Sequence, residues 1–246
     1  DEPDGGYDDG SGAVTRTRRA AFAAAALVAA IGLAALGVWQ LERRVWKHEL
    51  VAAVEARIHA APVTAPGPDA WGRVSAKRDA YRRVTATGAF RHDRETLVQA
   101  VTDRGPGFWV LTPLETPGFT LLINRGFVPK DRRDAKARAS GNVAGTVTVT
   151  GLLRVTEPGG AFLRSNDAAV DRWFSRDVAA IAKARGLRGA APYFVDADAK
   201  PNPGGYPVGG LTIVRFPDNH LVYALTWFAL CALSLFFAWR LWRIRD

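Results

Sequence analysis

The run AAFAAAALVAAIGLAALGVWQL, residues 20–41, carries no charged side chain. At about 1.5 Å per helical residue it reaches about 33 Å, enough to cross a hydrocarbon core of about 30 Å. A second uncharged run near the other end, LVYALTWFALCALSLFFAW (residues 221–239), is just long enough to do the same. Apolar residues are thus concentrated at the two ends of the 246-residue chain, so topology comes before domain counting.

A cleaved secretory signal is the competing reading of the first run, because Arg16, Arg18 and Arg19 precede it and small residues fill it. Signal cores, however, hold about 7–15 apolar residues. This run is longer and ends in Gly37-Val38-Trp39-Gln40, which sets an aromatic at the membrane interface. An uncleaved anchor is expected. The arginines beside the first run, with Arg240, Arg243 and Arg245 after the second, put both tails in the cytoplasm. Arg43, Arg44 and Lys47 oppose this from the far side, but they open a long domain, which the charge rule governs weakly. The expected order is a disordered cytoplasmic tail (1–19), a transmembrane helix (20–41), an extracytoplasmic domain (42–219), a second transmembrane helix (220–239) and a cytoplasmic tail (240–246). The setting expected is a bacterial inner membrane, with the central domain in the periplasm.

Residues 42–60 keep a helical pattern and extend the first helix outward until Pro62, Pro66, Gly67 and Pro68 end it. From Tyr81 the period changes to that of strands, over 83–90, 96–101, 108–114, 119–128, 146–155, 193–195 and 211–216. Gly105-Pro106-Gly107 and Thr116-Pro117-Gly118 are short enough for hairpin connections. Residues 130–141 are charged and unpatterned, as in an exposed loop. Ser175 is placed to cap a helix through Lys183, with Asp177 in its first turn and Gly186 near its end. The fold class is α+β: two transmembrane helices flanking an extracytoplasmic, mostly antiparallel β domain or small barrel with one or two helices.

The formal charge of +9 invites a nucleic-acid reading, but the arginines at the helix ends serve topology and the rest are scattered. No nucleic-acid partner is expected. Cys231 is the one cysteine and lies within the second run, which excludes disulfide, zinc-cluster and thiol-relay chemistry within the chain. No nucleophile elbow, paired-histidine zinc motif or phosphate-cradling loop occurs, so hydrolysis and phosphoryl transfer lack visible machinery.

In the first helix Ala23, Ala26, Ala30, Ala34 and Gly37 form a seam of small residues, either a helix-packing surface or a by-product of alanine-rich composition. His220 opens the second helix, as an interfacial polar residue or as a ligand. Antiparallel pairing of the helices brings Trp39, Gln40, Arg43 and Lys47 to its level. An imidazole, aromatic walls and cations able to meet carboxylates are the components of a heme pocket. Tyr223, Thr226 and Trp227 descend from His220 and serve either that pocket or the aromatic belt. His48, His59 and His92 read as surface residues. Arg125, in Asn124-Arg125-Gly126-Phe127-Val128-Pro129, stands at a strand end, either exposed or paired.

Taken in order, these segments resemble the surfeit locus protein 1 family of cytochrome c oxidase assembly factors. The likeness covers nearly all of the chain beyond residue 35. It rests on Gly37-Val38-Trp39-Gln40 with Arg43 and Lys47, and on Tyr81-Arg82-Arg83-Val84 with Gly88 and Phe90. It continues through Arg104-Gly105-Pro106-Gly107 with Thr112-Pro113, residues 124–129, and Trp173-Phe174 before Asp177-Val178. The last block is Asn219-His220-Leu221 with Tyr223, Thr226, Trp227 and Phe228. Leu211 departs from the pattern, where a glutamine is expected.

The resemblance implies a non-enzymatic factor that delivers or holds heme A for the catalytic subunit of a heme-copper oxidase, with His220 as the favoured heme contact and axial ligand. Trp39, Arg43, Lys47, Tyr223, Thr226 and Trp227 are assigned beside it. Implied partners are that catalytic subunit, enzymes of heme A synthesis and membrane lipid, which shelters the isoprenoid tail at about 0.8 kcal/mol per buried CH₂. The alternative is a scaffold that stabilises oxidase intermediates without heme. A transmembrane sensor lacks an output module, and an enzyme modifying heme lacks a redox centre or paired membrane histidines.

Overall fold

The computed structural model describes residues 10–243 except 162, 213, 215 and 217. In chain order the elements are α1 (Gly10–His59), β1 (Val63–Thr64), α2 (Ala76–Asp79), β2 (Arg83–Phe90), β3 (Thr96–Thr102), β4 (Gly105–Thr116) and β5 (Phe119–Pro129). Then come β6 (Thr146–Val155), β7 (Gly160–Ala161), β8 (Arg164–Ser165), α3 (Val178–Ala184), β9 (Ala190–Ala197) and α4 (His220–Arg243). The chain divides into two compact units: one holds the two terminal segments, up to Ala52 and from Arg215, and the other is Ala53–Val214.

α1 and α4 are both long and apolar enough to cross a membrane. α1 already includes residues 10–19, so that part of the expected disordered tail is helical; residues 1–9 lie outside the described residues. Alanine-rich sequence carries the helix through Gly32 and Gly37, since alanine has the highest helix propensity and no proline falls within α1. Ala30 and Gly37 are the buried positions of the small-residue seam, while Ala23, Ala26 and Ala34 are half-buried. In α4 the matching positions are Ala224 and Ala238, with Trp227, Phe228, Cys231 and Ser234 between them. Close approach is visible at Gly37, where a Cβ would stand 2.5 Å from Phe228 Cε1.

The second unit is built on one sheet in the order β1-β2-β6-β9-β5-β4-β3, and an added β2–β4 pairing closes β2, β6, β9, β5 and β4 into a small barrel. The sheet is mixed. β5 and β9 run parallel, as do β1 and β2, whereas β2–β6, β6–β9, β4–β5, β3–β4 and β2–β4 are antiparallel. The apolar run Leu121–Ile123 of β5 has its reason here, because the strand is buried on both faces. Leu121 and Ile123 enter the barrel core with Val84, Leu114, Leu153, Tyr193 and Val195. Leu122 enters a second cluster with Trp173, Val178, Ile181 and Phe194, which seats α3 on the outside of the sheet.

Several expected boundaries move. The first hairpin turns at Asp103-Arg104, and Gly105-Pro106-Gly107 already belongs to β4. Asp177, not Ser175, caps α3, its side chain accepting from the N–H of Ala180. Ser175 is buried, donating to the carbonyl of Glu157 at 2.7 Å. Residues 130–141 form two short 3₁₀ turns around a buried Arg138 instead of an open loop. Leu211, Thr212, Val214 and Phe216 lie in no strand, and residues 213 and 215 are outside the described set. The segment before them is tied to β5 by Val208, which exchanges two 2.9 Å backbone bonds with Phe127.

Candidate functional site

His220 is the first residue of α4. Its backbone N–H donates to Asp218 Oδ1 at 3.0 Å, and its Nδ1 lies 2.7 Å from Gln40 Oε1. A carbonyl oxygen only accepts, so in the neutral ring this contact selects the tautomer with the proton on Nδ1 and the lone pair on Nε2. Nε2 has no hydrogen-bond partner among the described residues. Metal-ligating histidines commonly have this arrangement, with the second nitrogen anchored to an oxygen.

Asp218 gathers the outer stretch of α1. Its Oδ2 accepts from His48 Nε2 at 2.6 Å and lies 3.6 Å from Arg44 Nε. Gln40, Arg44 and His48 are spaced four apart and so share one helix face. The hydrogen bond from the backbone of His220, followed by that from His48, holds the Asp218 carboxyl below its ordinary range. The carboxylate also stabilises the start of α4, where unpaired N–H groups favour negative charge.

The remaining expected site residues are distributed around this core. Trp39 and Tyr223 are about half exposed, at 53% and 54%. The Arg43 guanidinium stacks 3.9 Å over the Trp46 ring, and Lys47 is half-buried with an interaction of its own. The Thr226 hydroxyl donates back to the carbonyl of Val222 at 2.9 Å, so it retains only acceptor capacity toward a ligand. Trp227 keeps a buried indole N–H without a partner among the described residues. His220 is thus brought to Gln40, while neither Trp39 nor Arg43 bonds to it.

The sequence reading missed the pairing of Asp218 with Arg44 and His48. The i, i+4 spacing on α1 was its available signal. His48 is exposed as expected while pairing with Asp218, whereas His92 departs from the surface role expected of it. His92 is half-buried, its Nε2 at 3.0 Å from the Val143 carbonyl and its Nδ1 at 3.4 Å from Arg125 Nη1. Burial first, then the charge of Arg125, lowers its pKa. His59 is exposed and pairs with Glu55 at 3.3 Å.

The family model described as the SURF1 family matches residues 27–232, which take in part of each apolar helix and the whole β domain between them. Surfeit locus protein 1 of Mus musculus is 36% identical over 214 residues, covering 80% of this chain and 68% of the relative. Surfeit locus protein 1 of Homo sapiens is 34% identical over 215 residues, 80% of this chain and 69% of the relative. A SURF1-like protein of Monosiga brevicollis is 36% identical over 214 residues, 81% of this chain and 79% of the relative. The matched span contains Gln40, Asp218 and His220 together with the whole barrel, and on that breadth the chain belongs to the SURF1 family.

Proposed function

We propose that this chain is a membrane-held assembly factor for a heme-copper cytochrome c oxidase, and that it holds heme A at the start of α4 for transfer to the oxidase's catalytic subunit. The carrying observation is the His220–Gln40 contact at 2.7 Å. In the neutral ring it leaves the Nε2 lone pair unpartnered among the described residues, as a metal ligand requires. When bound, heme A would supply an iron for an imidazole to ligate, a flat apolar ring, two propionates and an isoprenoid tail.

The chain's own residues have separate tasks in this reading. Gln40 orients the imidazole and fixes its tautomer. Trp39 and Tyr223 present aromatic surface beside it, and Arg43 and Lys47 supply positive charge for the propionates. Trp227, about two turns into α4, offers an indole donor, and Thr226 offers an acceptor. The apolar outer surface of α4 accompanies the tail into lipid. Both tails are assigned to the cytoplasm of a bacterial inner membrane and the β domain to its outer side, on the arginine distribution.

The test is the visible spectrum of the protein purified in mild detergent from cells that make heme A, beside that of His220→Ala. A heme A spectrum in the first and its loss in the second is the expected result. Equal heme in both would sink the assignment of His220. Heme in neither, with oxidase subunits still co-purifying, would replace heme transfer by scaffolding.

A further inference from the structure

Among the described residues Arg125 is neither exposed nor paired with a carboxylate. Its side chain is buried at 2% exposure, and its Nε has no hydrogen-bond partner. Nη2 donates to the carbonyl of Gly141 and, at 3.1 Å, to Asn202 Oδ1; Nη1 lies 3.4 Å from His92 Nδ1. All of these partners are neutral in this arrangement, because His92 donates from Nε2 to Val143 and accepts on Nδ1. The nearby acid, Glu95, is already engaged by both terminal nitrogens of Arg138, whose side chain is 1% exposed. Glu95 is therefore taken by Arg138, and among the described residues Arg125 has no carboxylate bonded to it. Burial has pushed its pKa down to about 10, with Arg138 adding to the effect and Glu95 opposing it.

A charged group without a counter-ion is costly to bury, so a protein that keeps one commonly has a partner to supply. The surroundings provide room for it. Arg125 lines a cavity of about 360 Å³ whose other walls include Phe90, Ile123, Val147 and Val149. The Phe90 ring lies 5.0 Å from the Arg125 guanidinium carbon. Lys200 also lines the cavity, and its ammonium group has no ion pair among the described residues. Asp198, the acid in the lining, accepts from the backbone N–H of Lys200 at 3.1 Å. Gly126 keeps the neighbouring chain close: its φ of +132° is in the left-handed region, and any Cβ there would strike the Val208 carbonyl.

We propose that this cavity of the β domain binds a small amphiphile carrying one carboxylate, with the carboxylate on Arg125 and the apolar body against Phe90, Val147 and Val149. A single negative charge matches the single uncompensated guanidinium, which pairs well with planar carboxylates. The cavity is also too large and too apolar for a simple ion. These residues are separate from those assigned to heme, so the two readings stand or fall independently.

Hexanoate is the probe, titrated by calorimetry into the full chain in phosphatidylcholine nanodiscs, with empty nanodiscs as the blank. Hexanamide, acetate and inorganic phosphate are run beside it. Saturable hexanoate binding is expected, at least about tenfold tighter than hexanamide (lost charge) and than acetate or phosphate (lost apolar body). Arg125→Gln should abolish it with the circular dichroism spectrum retained. Val147→Trp should abolish it by filling the cavity with Arg125 intact. If Arg125→Gln does not fold, Val147→Trp and the hexanoate–hexanamide ratio on the unmodified chain decide. Absent hexanoate binding, equal binding of hexanamide, equal binding of acetate or phosphate, or hexanoate binding unchanged in either folded variant would each overturn the proposal.

Discussion

Gln40 decides which nitrogen of His220 carries the proton, and through that what the imidazole can do. Its Oε1 accepts from Nδ1 at 2.7 Å, so replacing it frees the ring to rotate and to protonate Nε2. Under the proposed function, Gln40→Leu lowers heme affinity by about 10–100-fold while Gln40→Glu retains it, as read by titrating heme into the apo-protein. Arg125 shows the opposite relation between a residue and its surroundings. Its motif marks a strand end correctly, yet nothing local reveals that Glu95 is taken by Arg138, because Glu95 lies 30 residues from Arg125 and 43 from Arg138 along the chain. Trp227 was legible as an aromatic in α4, but its unpartnered indole N–H depends on which face the neighbouring helix covers.

Between elements, the contact of α1 with α4 depends on small side chains. Gly37 lies against Phe228 so closely that a Cβ would meet its ring at 2.5 Å, one turn from Gln40. Gly37→Leu should push the helices apart and break the Gln40–His220 bond, giving a protein that still inserts but retains less heme in the same spectrum. In the barrel, β9 is held to its neighbours by Asp196, which is 3% exposed and accepts from Asn124 at 2.7 Å, Arg154 at 2.9 Å and Arg176 at 3.1 Å. Removing it leaves Arg154 and Arg176 with Glu157 as their remaining counter-ion and strips Asn124 of its acceptor. Asp196→Ala is expected to cost about 1–3 kcal/mol, measured as a lower midpoint in chemical denaturation of the full chain. Both strands that sandwich Asp196, β5 and β6, were legible from alternation and turn residues, whereas their joining through β9 was not.

At the scale of the whole molecule, stability should depend on pH through His92. Its pKa is lowered from 6.5 by burial and by Arg125, so the unfolded chain takes up a proton that the folded chain refuses. Stability is therefore full above about pH 6.5 and declines as pH falls from there through the folded pKa. The thermal midpoint of the β domain should be lower at about pH 5.5 than at about pH 7.5, and His92→Gln should shrink that difference. The sequence alone determined the two apolar helices, the position of His220 at the head of the second, and most strand spans, with β2 and β6 read to the residue. Each of these follows from interactions within one segment: absence of charge over a membrane's thickness, or side-chain period. Only the tertiary structure decided the parallel β5–β9 pairing, the closure of the barrel through β2 and β4, the cap at Asp177, the capture of Asp218 by α1, and the uncompensated charge of Arg125. Those depend on which distant groups meet and on which of them are already engaged, and neither is encoded in the spacing of neighbours along the chain.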